Sequence, residues 1–591
     1  MKKFFGNVLA VIVGNFLTYS IIGAVIAVMI FFSVAGEWFK DSGPRKNSVL
    51  ELTLNFPIKE SSMENEVSLF GSDPKSEVYF RDLIRAIETA KEDEKIDGIS
   101  LKITNFNGGV SQLTDIRNAL VDFKKSGKFI YAYSHNSDQS AYILHSTADS
   151  IYQNPMGMIL LQGLGTEVMF FKNLGDKYGI DFHVIRHGEY KSAVEPYLRE
   201  DLSEENREQL TVLLNDIWGN LSTQMAKSRK LSLEQFNQSI DSLHGFNPDK
   251  ALEAKFVDKL AQEGEYEQAL FNRLGLKAKE KESVHEVLAK HTIDILDYAR
   301  ALKPESGRDE IAVLYANGNI MIGEGYSGIQ SEVYKKAIKD LKEDERVKAV
   351  VLRINSPGGS ADASEEILFE LRELRKRKPV IVSFGDVAAS GGYYIAMESD
   401  SIFASPNTIT GSIGVLGMIP TVKKLVNNIG ITTDFVKTNR NSDFLKTIFN
   451  PISEEGMQVM TDMTENVYDR FVNHVSQARN MTYEQVDAIG RGRVWSGSQA
   501  LKLGLVDKIG TLDDAILAAA HKAGLDKYSV KSYPFKKDGF EEFMKQFQGV
   551  KSEAILQEQL GQEYYQIFCE LKAIRENQGV QVRMPFDIKL K

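Results

Sequence analysis

Most of this 591-residue chain is written twice, and that repeat limits what it can fold into more than any other feature. Asp93-Glu94-Lys95-Ile96 returns 251 positions later as Asp344-Glu345-Arg346-Val347. At the same offset Lys102-Ile103 returns as Arg353-Ile354, Asp149 as Asp400, Pro155 as Pro406, Gly163 as Gly414 and Gly179-Ile180 as Gly430-Ile431. After a two-residue gap, Ala251 and Val257-Asp258-Lys259 return as Ala500 and Val506-Asp507-Lys508. A period this long far exceeds a solenoid unit and predicts two copies of one domain. The length also exceeds what a single hydrophobic core serves.

Each copy alternates strand and helix patterns. In the second, 311–316, 349–354, 380–384, 401–404 and 432–436 read as strands, and 332–341 and 363–375 as helices. A helix is expected to begin at Tyr393, and long helical stretches at 203–229 and 453–479 mirror one another. This grammar predicts an α/β fold of parallel sheets flanked by helices. The expected parts are an N-terminal segment, 1–46, a first repeat, 47–303, a second repeat, 309–533, and a C-terminal extension, 534–591. Within the extension, 539–577 reads as helical and 580–590 as extended.

Residues 4–36 carry no charge, a run of 33. About 20 residues suffice to span a bilayer, and secretory apolar cores run only about 7–15. The segment is therefore read as an uncleaved transmembrane helix, Ser33-Val34-Ala35 being the alternative as a cleavage site. Lys2 and Lys3 keep the short tail in the cytoplasm and put the bulk of the chain outside. The net charge of −10 argues against nucleic acid as a partner. Cys569 is the single cysteine, which excludes an intramolecular disulfide and cysteine-pair zinc sites. The basic run Arg372, Arg375, Lys376, Arg377 and Lys378 reads as a solvated helix end.

Duplicated domains show function by asymmetry. The second copy carries Asn355-Ser356-Pro357-Gly358-Gly359-Ser360 after one strand and Ala389-Ser390-Gly391-Gly392 after the next. At matching positions the first copy has Thr104-Asn105-Phe106-Asn107-Gly108-Gly109 and, in place of Ser390, Gln139. Glycines after a buried strand let backbone amides face outward, as an oxyanion hole requires. A serine at a strand-to-helix turn exposes its hydroxyl where α/β sites lie. Singly, Ser390 reads as a helix N-cap and the glycines as a turn. Together, in one copy only, they read as a nucleophile with its oxyanion hole. A serine nucleophile needs a base. No histidine lies in 309–473, and His474 and His521 sit on expected helices. Lys191, after the expected strand 182–185, is the candidate, and the second copy has Ser442 there. Spacing alone does not separate Lys191 from an ordinary surface lysine.

These motifs resemble bacterial signal peptide peptidase A, a serine–lysine protease family, in its long tandem-repeat form. The resemblance rests on Tyr190-Lys191-Ser192-Ala193-Val194-Glu195-Pro196, Asn355–Ser360, Ala389-Ser390-Gly391-Gly392-Tyr393-Tyr394 and Thr410-Gly411-Ser412-Ile413-Gly414-Val415. It implies two Clp-protease/crotonase-like domains. It also implies Ser390 as nucleophile, Lys191 as general base, Gly359 and Gly391 as oxyanion donors and Ser412 as the residue orienting the lysine. A homotetramer on the outer face of the bacterial cytoplasmic membrane, signal peptides and other apolar peptides as substrates, and no metal or other cofactor follow from the same resemblance. The alternatives are an acyl-CoA-handling enzyme on the same fold, which needs no covalent Ser390, and a non-catalytic membrane scaffold.

Overall fold

The computed structural model describes residues 44–61, 78–325, 328–534 and 579–583. The membrane helix expected at 4–36 and the helix expected at 539–577 lie outside the described residues. Among the described residues no helix is long and apolar enough to cross a membrane.

Two sheets repeat one plan. The first has the order Lys259–Leu260, Ser150–Gln153, Phe129–Ser134, Ile96–Leu101, Ser48–Leu52, Thr292–Asp294, all parallel. In the second, Ser401–Ala404, Val380–Ala389, Val347–Ser356, Glu310–Asn317 and Ser529–Tyr533 follow the same order, with Lys508–Ile509 beside Ser401–Ala404. Strands such as Val350-Val351-Leu352 are buried on both faces, as a parallel sheet covered by helices requires. The helix Ala361–Arg375 turns Ile367, Leu368, Leu371 and Leu374 inward and its charges outward.

The second sheet goes further. Val380–Ala389 runs five residues beyond the expected strand end and picks up Ile409–Gly411, which in turn pairs antiparallel with Val494–Ser496. One expected strand, 432–436, is absent. Phe435 and Val436 are exposed, Val436 at 96%, and neither belongs to a strand. Its first-copy counterpart, Asp181–His187, does find an edge: it pairs antiparallel with Val415–Thr421 of the second copy. A third sheet is thus built from both copies, in the order Ile329–Gln330, Ile320–Met321, Gly358–Ser360, Gly579–Arg583, Val415–Thr421, Asp181–His187.

The copies are also joined through a buried polar cluster. Arg353 holds Glu60 bidentately at 2.9 and 3.1 Å and donates to the Ser383 hydroxyl and the Phe384 carbonyl. Its repeat counterpart Lys102 instead pairs with Glu51 and Glu263 nearer the surface. Asp386 accepts the Ser111 amide at 2.7 Å, near the start of the first-copy helix Val110–Phe123. Burial pushes Asp386 up to about 6 and the neighbouring Asp115 up to about 8. Burial thus disfavours the full set of carboxylate charges around Arg353.

Breaking a buried pair costs more than replacing both partners, because one charge is left uncompensated. Glu60→Ala is expected to lose about 3–5 kcal/mol of stability. Glu60→Met combined with Arg353→Met is expected to recover most of that loss. Denaturant midpoints check it: a double variant no more stable than Glu60→Ala would contradict the pairing.

Candidate active site

The antiparallel pairing of Asp181–His187 with Val415–Thr421 aligns His187 with Val415. The chain then turns, so that Lys191 arrives beside Ser412. The first-copy helix Glu204–Ser228 fixes this turn from behind. Gln209 donates to the Tyr190 carbonyl at 3.0 Å, and Ser192 donates to Asn206 at 2.9 Å. The second copy covers it from the front. Tyr190 donates its amide to the Arg491 carbonyl, and Arg493 lies against the Tyr190 and Trp495 rings at 4.8 and 4.5 Å.

Two glycines allow that approach. A Cβ at Gly492 would lie 2.7 Å from the Lys191 Cβ, and one at Gly414 would lie 3.3 Å from its Cδ. The Lys191 side chain is fully buried as a result. Its Nζ lies 2.8 Å from Ser390 Oγ, 2.9 Å from Ser412 Oγ and 3.1 Å from the Ser412 carbonyl. Burial holds the Lys191 amine well below the usual lysine range. The nearby carboxylate does not offset this. Glu195 accepts from Ser203 at 2.5 Å and from Asn206 at 3.0 Å, and sits 3.8 Å from Arg186.

Ser390 ends the strand Val380–Ala389 and precedes the short helix Gly391–Tyr394. It occupies the N-cap position, yet its side chain makes no capping hydrogen bond. Its backbone has φ 55° and ψ −115°, a conformation that a non-glycine residue rarely adopts and that surrounding structure must hold. The bond from its amide to the Gly411 carbonyl, 2.8 Å, is part of that hold. Gly359 has φ 155°, and a Cβ there would meet the Ile320 carbonyl oxygen at 2.1 Å. A Cβ on Gly391 would come within 3.2 Å of the Gly359 nitrogen, so the two glycine backbones adjoin.

The fold therefore brings Lys191, Ser390 and Ser412 into contact, and sets Gly359 beside Gly391 next to them. The histidine alternatives lie elsewhere. His474 is held by Arg372 at 3.0 Å, and His521 is exposed on the helix Leu512–Lys522. Sequence reading missed the loop Arg491-Gly492-Arg493. Its signal was available, since the matching first-copy residues are Ser242-Leu243-His244. Gln139, in the place of Ser390, accepts from the Gly163 and Gln162 amides at 2.8 and 3.1 Å and donates to the Gly163 carbonyl at 3.1 Å. Its amide thus ties down the segment that matches Ser412–Gly414 of the second copy.

A hydroxyl facing a buried amine whose pKa desolvation lowers, at a turn lined by glycine amides, suits acyl transfer by a serine hydrolase. The comparisons give the particular family. The model of peptidase family S49 matches residues 122–287 and 372–526. The chain is 39% identical to Protease 4 of Salmonella typhi over 79% of this chain and 76% of that protein. It is 35% identical to Protease 4 of Haemophilus influenzae over 74% of this chain and 71% of that protein. It is 32% identical to the chloroplastic serine protease SPPA of Arabidopsis thaliana over 81% of this chain and 70% of that protein. The chain belongs to peptidase family S49 and is a serine protease.

Because burial depresses the Lys191 pKa, the unfolded state binds one proton more than the folded state between the depressed value and the ordinary lysine pKa of about 10.4. Stability contributed through this group therefore rises with pH across that window. Lys191→Met is expected to raise the melting temperature at neutral pH, with the gain shrinking as pH approaches about 10. A variant less stable than the parent at pH 7 would contradict the assigned cost of burial.

Proposed function

We propose that this protein is a membrane-anchored endopeptidase that degrades signal peptides left in the bilayer, with Ser390 as nucleophile and Lys191 as general base. The observation that carries the reading is the contact between a fully buried lysine amine and the Ser390 hydroxyl, 2.8 Å. With its two N–H groups on the Ser412 hydroxyl and carbonyl, the neutral amine turns its lone pair toward Ser390. Ser412 is thereby the residue that orients the lysine.

As Ser390 Oγ attacks a peptide carbonyl carbon, its proton passes to Lys191 Nζ. The oxyanion accepts hydrogen bonds from the Gly359 and Gly391 amides. When the C–N bond breaks, the lysine ammonium gives its proton to the leaving amine. A water molecule, deprotonated by Lys191, then attacks the ester, and Ser390 takes the proton back as it leaves. Every step uses groups of the chain and water. The uncharged run at 4–36 supports attachment to the bacterial cytoplasmic membrane with the catalytic part on its outer face. The Clp-protease/crotonase architecture, assembly as a homotetramer and a preference for apolar peptides belong to the same reading.

Ser390→Ala is expected to fold and to lose peptide hydrolysis by at least about 10³-fold. Lys191→Arg is expected to lose as much, since a guanidinium keeps its proton at any usable pH. In the parent protein, kcat/KM should rise with pH through the depressed lysine pKa and then level. An active Arg variant would remove Lys191 from the role of base.

The first copy offers no second nucleophile. Gln139→Ala is expected to leave peptide turnover within about threefold, as for a residue outside the reacting groups. Intact mass after a fluorophosphonate should show one adduct per chain, at Ser390. Two adducts would contradict the one-sided assignment, and absence of an adduct at Ser390 would favour the acyl-CoA alternative, which needs no covalent serine.

A further inference from the structure

A cleft of about 200 Å³ lies where the two copies meet, and none of its lining residues belongs to the candidate active site. One ordered water needs only about 10–15 Å³, so the cleft has room for a larger guest. Phe80, Ile84 and Glu88 line it at intervals of four along the helix Phe80–Glu92. Asp115, Ala119 and Asp122 line it at intervals of four and three along Val110–Phe123. Such spacing puts each set on one helix face. The second copy completes the wall with the first turn of Leu512–Lys522, through Leu512, Asp513 and Asp514.

Asp115 sets this cleft apart from an ordinary acidic surface. It is only 6% exposed, yet its carboxyl forms no hydrogen bond and no ion pair among the described residues. Arg353 acts on it only through space, because that guanidinium is spent on Glu60, Ser383 and Phe384. Glu60, Asp386 and Asp513 add negative charge around it. A buried carboxyl group without a partner is costly, so its presence points to a missing donor. Glu88, exposed at the open end, also lacks a hydrogen bond among the described residues, and burial together with the Asp513 charge pushes it above the usual carboxylate range. The only cation among the described lining residues, Arg81, is already held by Glu305 at 2.8 and 3.1 Å and by Asp513 at 2.9 Å. Asp122 is met by Lys91 and Lys125, and Asp514 caps Thr511. The unmet demand for positive charge thus falls on Asp115 and Glu88.

Among the described residues no three carboxylate or imidazole groups are placed to hold a metal ion. Positive charge therefore has to arrive at separate points, and Ile84, Ala119 and Leu512 give the cleft apolar wall as well. A chain of methylenes with an ammonium at each end has this pattern. We propose that the cleft binds a free aliphatic diamine, with one ammonium on Asp115, the other on Glu88 and the methylenes against Ile84, Ala119 and Leu512. Each ammonium brings the donors that the two carboxyl groups lack. Because both copies supply walls, the ligand binds the assembled pair and stabilises it by mass action.

Titration calorimetry of the full chain with putrescine tests the site. The expected result is one diamine per chain and, at saturation, a melting temperature raised by about 2 °C or more. Asp115→Asn keeps the shape and removes the charge, and should weaken binding by about tenfold or more. Glu88→Gln, at an exposed position, should weaken it by about threefold and keeps the test decisive if the Asn variant does not fold. Absence of binding by both putrescine and its longer homologue cadaverine would overturn the proposal, as would unchanged affinity in Glu88→Gln. Butylamine binding as tightly as putrescine would overturn the two-ended assignment. An equal rise in melting temperature with magnesium at matched ionic strength would reduce the effect to charge screening and overturn the site. Tighter binding of a lysine-containing tripeptide than of either diamine would assign the ammonium to a protein partner and overturn the free-ligand reading.

Discussion

The desolvation of one amine governs the arrangement of the whole molecule. Lys191 is buried with hydroxyls and a carbonyl as its polar neighbours, and the two carboxylates close to it in sequence are engaged elsewhere, Glu189 by Arg491 and Glu195 by Ser203 and Asn206. Burial disfavours the ammonium form of a lysine in such a place, as the proposed role of general base requires. Neither copy can bury it alone. The first copy supplies the turn and the helix behind it, and the second supplies Gly414, Gly492 and the loop through Arg493. The antiparallel pairing of Asp181–His187 with Val415–Thr421 is therefore more than a contact between domains, because it sets the protonation state of the site.

Ser390 sits on backbone that an isolated chain would rarely choose. Ser390 at positive φ and Gly359 at φ 155° are both over-determined by neighbours, the first by the Gly411 carbonyl and the second by the close Ile320 backbone. Strain of about 1–3 kcal/mol at a residue such as Ser390 persists only where packing elsewhere outweighs it. The buried core of the second sheet provides that surplus, and the Arg353–Glu60 junction ties it to the first copy close by. The junction reaches the strand of Ser390 directly, since Asp386 sits four residues before the serine and grips the first-copy helix at Ser111.

Much of this was legible in the sequence, and the limits have physical causes. The alternation of buried strands and amphipathic helices is a local signal, so the elements of both copies could be read closely. Ser390 and Lys191 stood out because each interrupts the repeat, although the lysine needed the family resemblance to rise above an ordinary surface charge. The third sheet left only fragments of a local trace, the extended patterns at 182–185 and 580–590, and nothing in them showed that they join. Its strands come from both repeats and from the C-terminal extension, and backbone pairing over such separations imposes no sequence pattern. The error at 432–436 has the same origin. Apolar residues there match those of 181–187 in pattern, but a strand forms only where an edge exists to receive it, and only the first-copy segment has one. Glu60 and Arg353, 293 positions apart, were invisible for a related reason: a buried ion pair is specified by geometry and not by spacing.

The two copies diverge at a few matched positions, and each difference acts in the same direction. Lys102 stays near the surface where Arg353 is buried against the other copy. Gln139 ties its turn to Gly163 through its side-chain amide, where Ser390 leaves that side free for a lysine from outside. A glutamine amide is self-sufficient there, with donor and acceptor both satisfied within one copy. A serine with no capping bond is not, and it draws its partner from the other repeat. The second copy is thus the one whose site is incomplete without its twin, and the first is the one whose site is closed. That asymmetry, and not the repeat itself, is what lets the two copies jointly build the proposed active site.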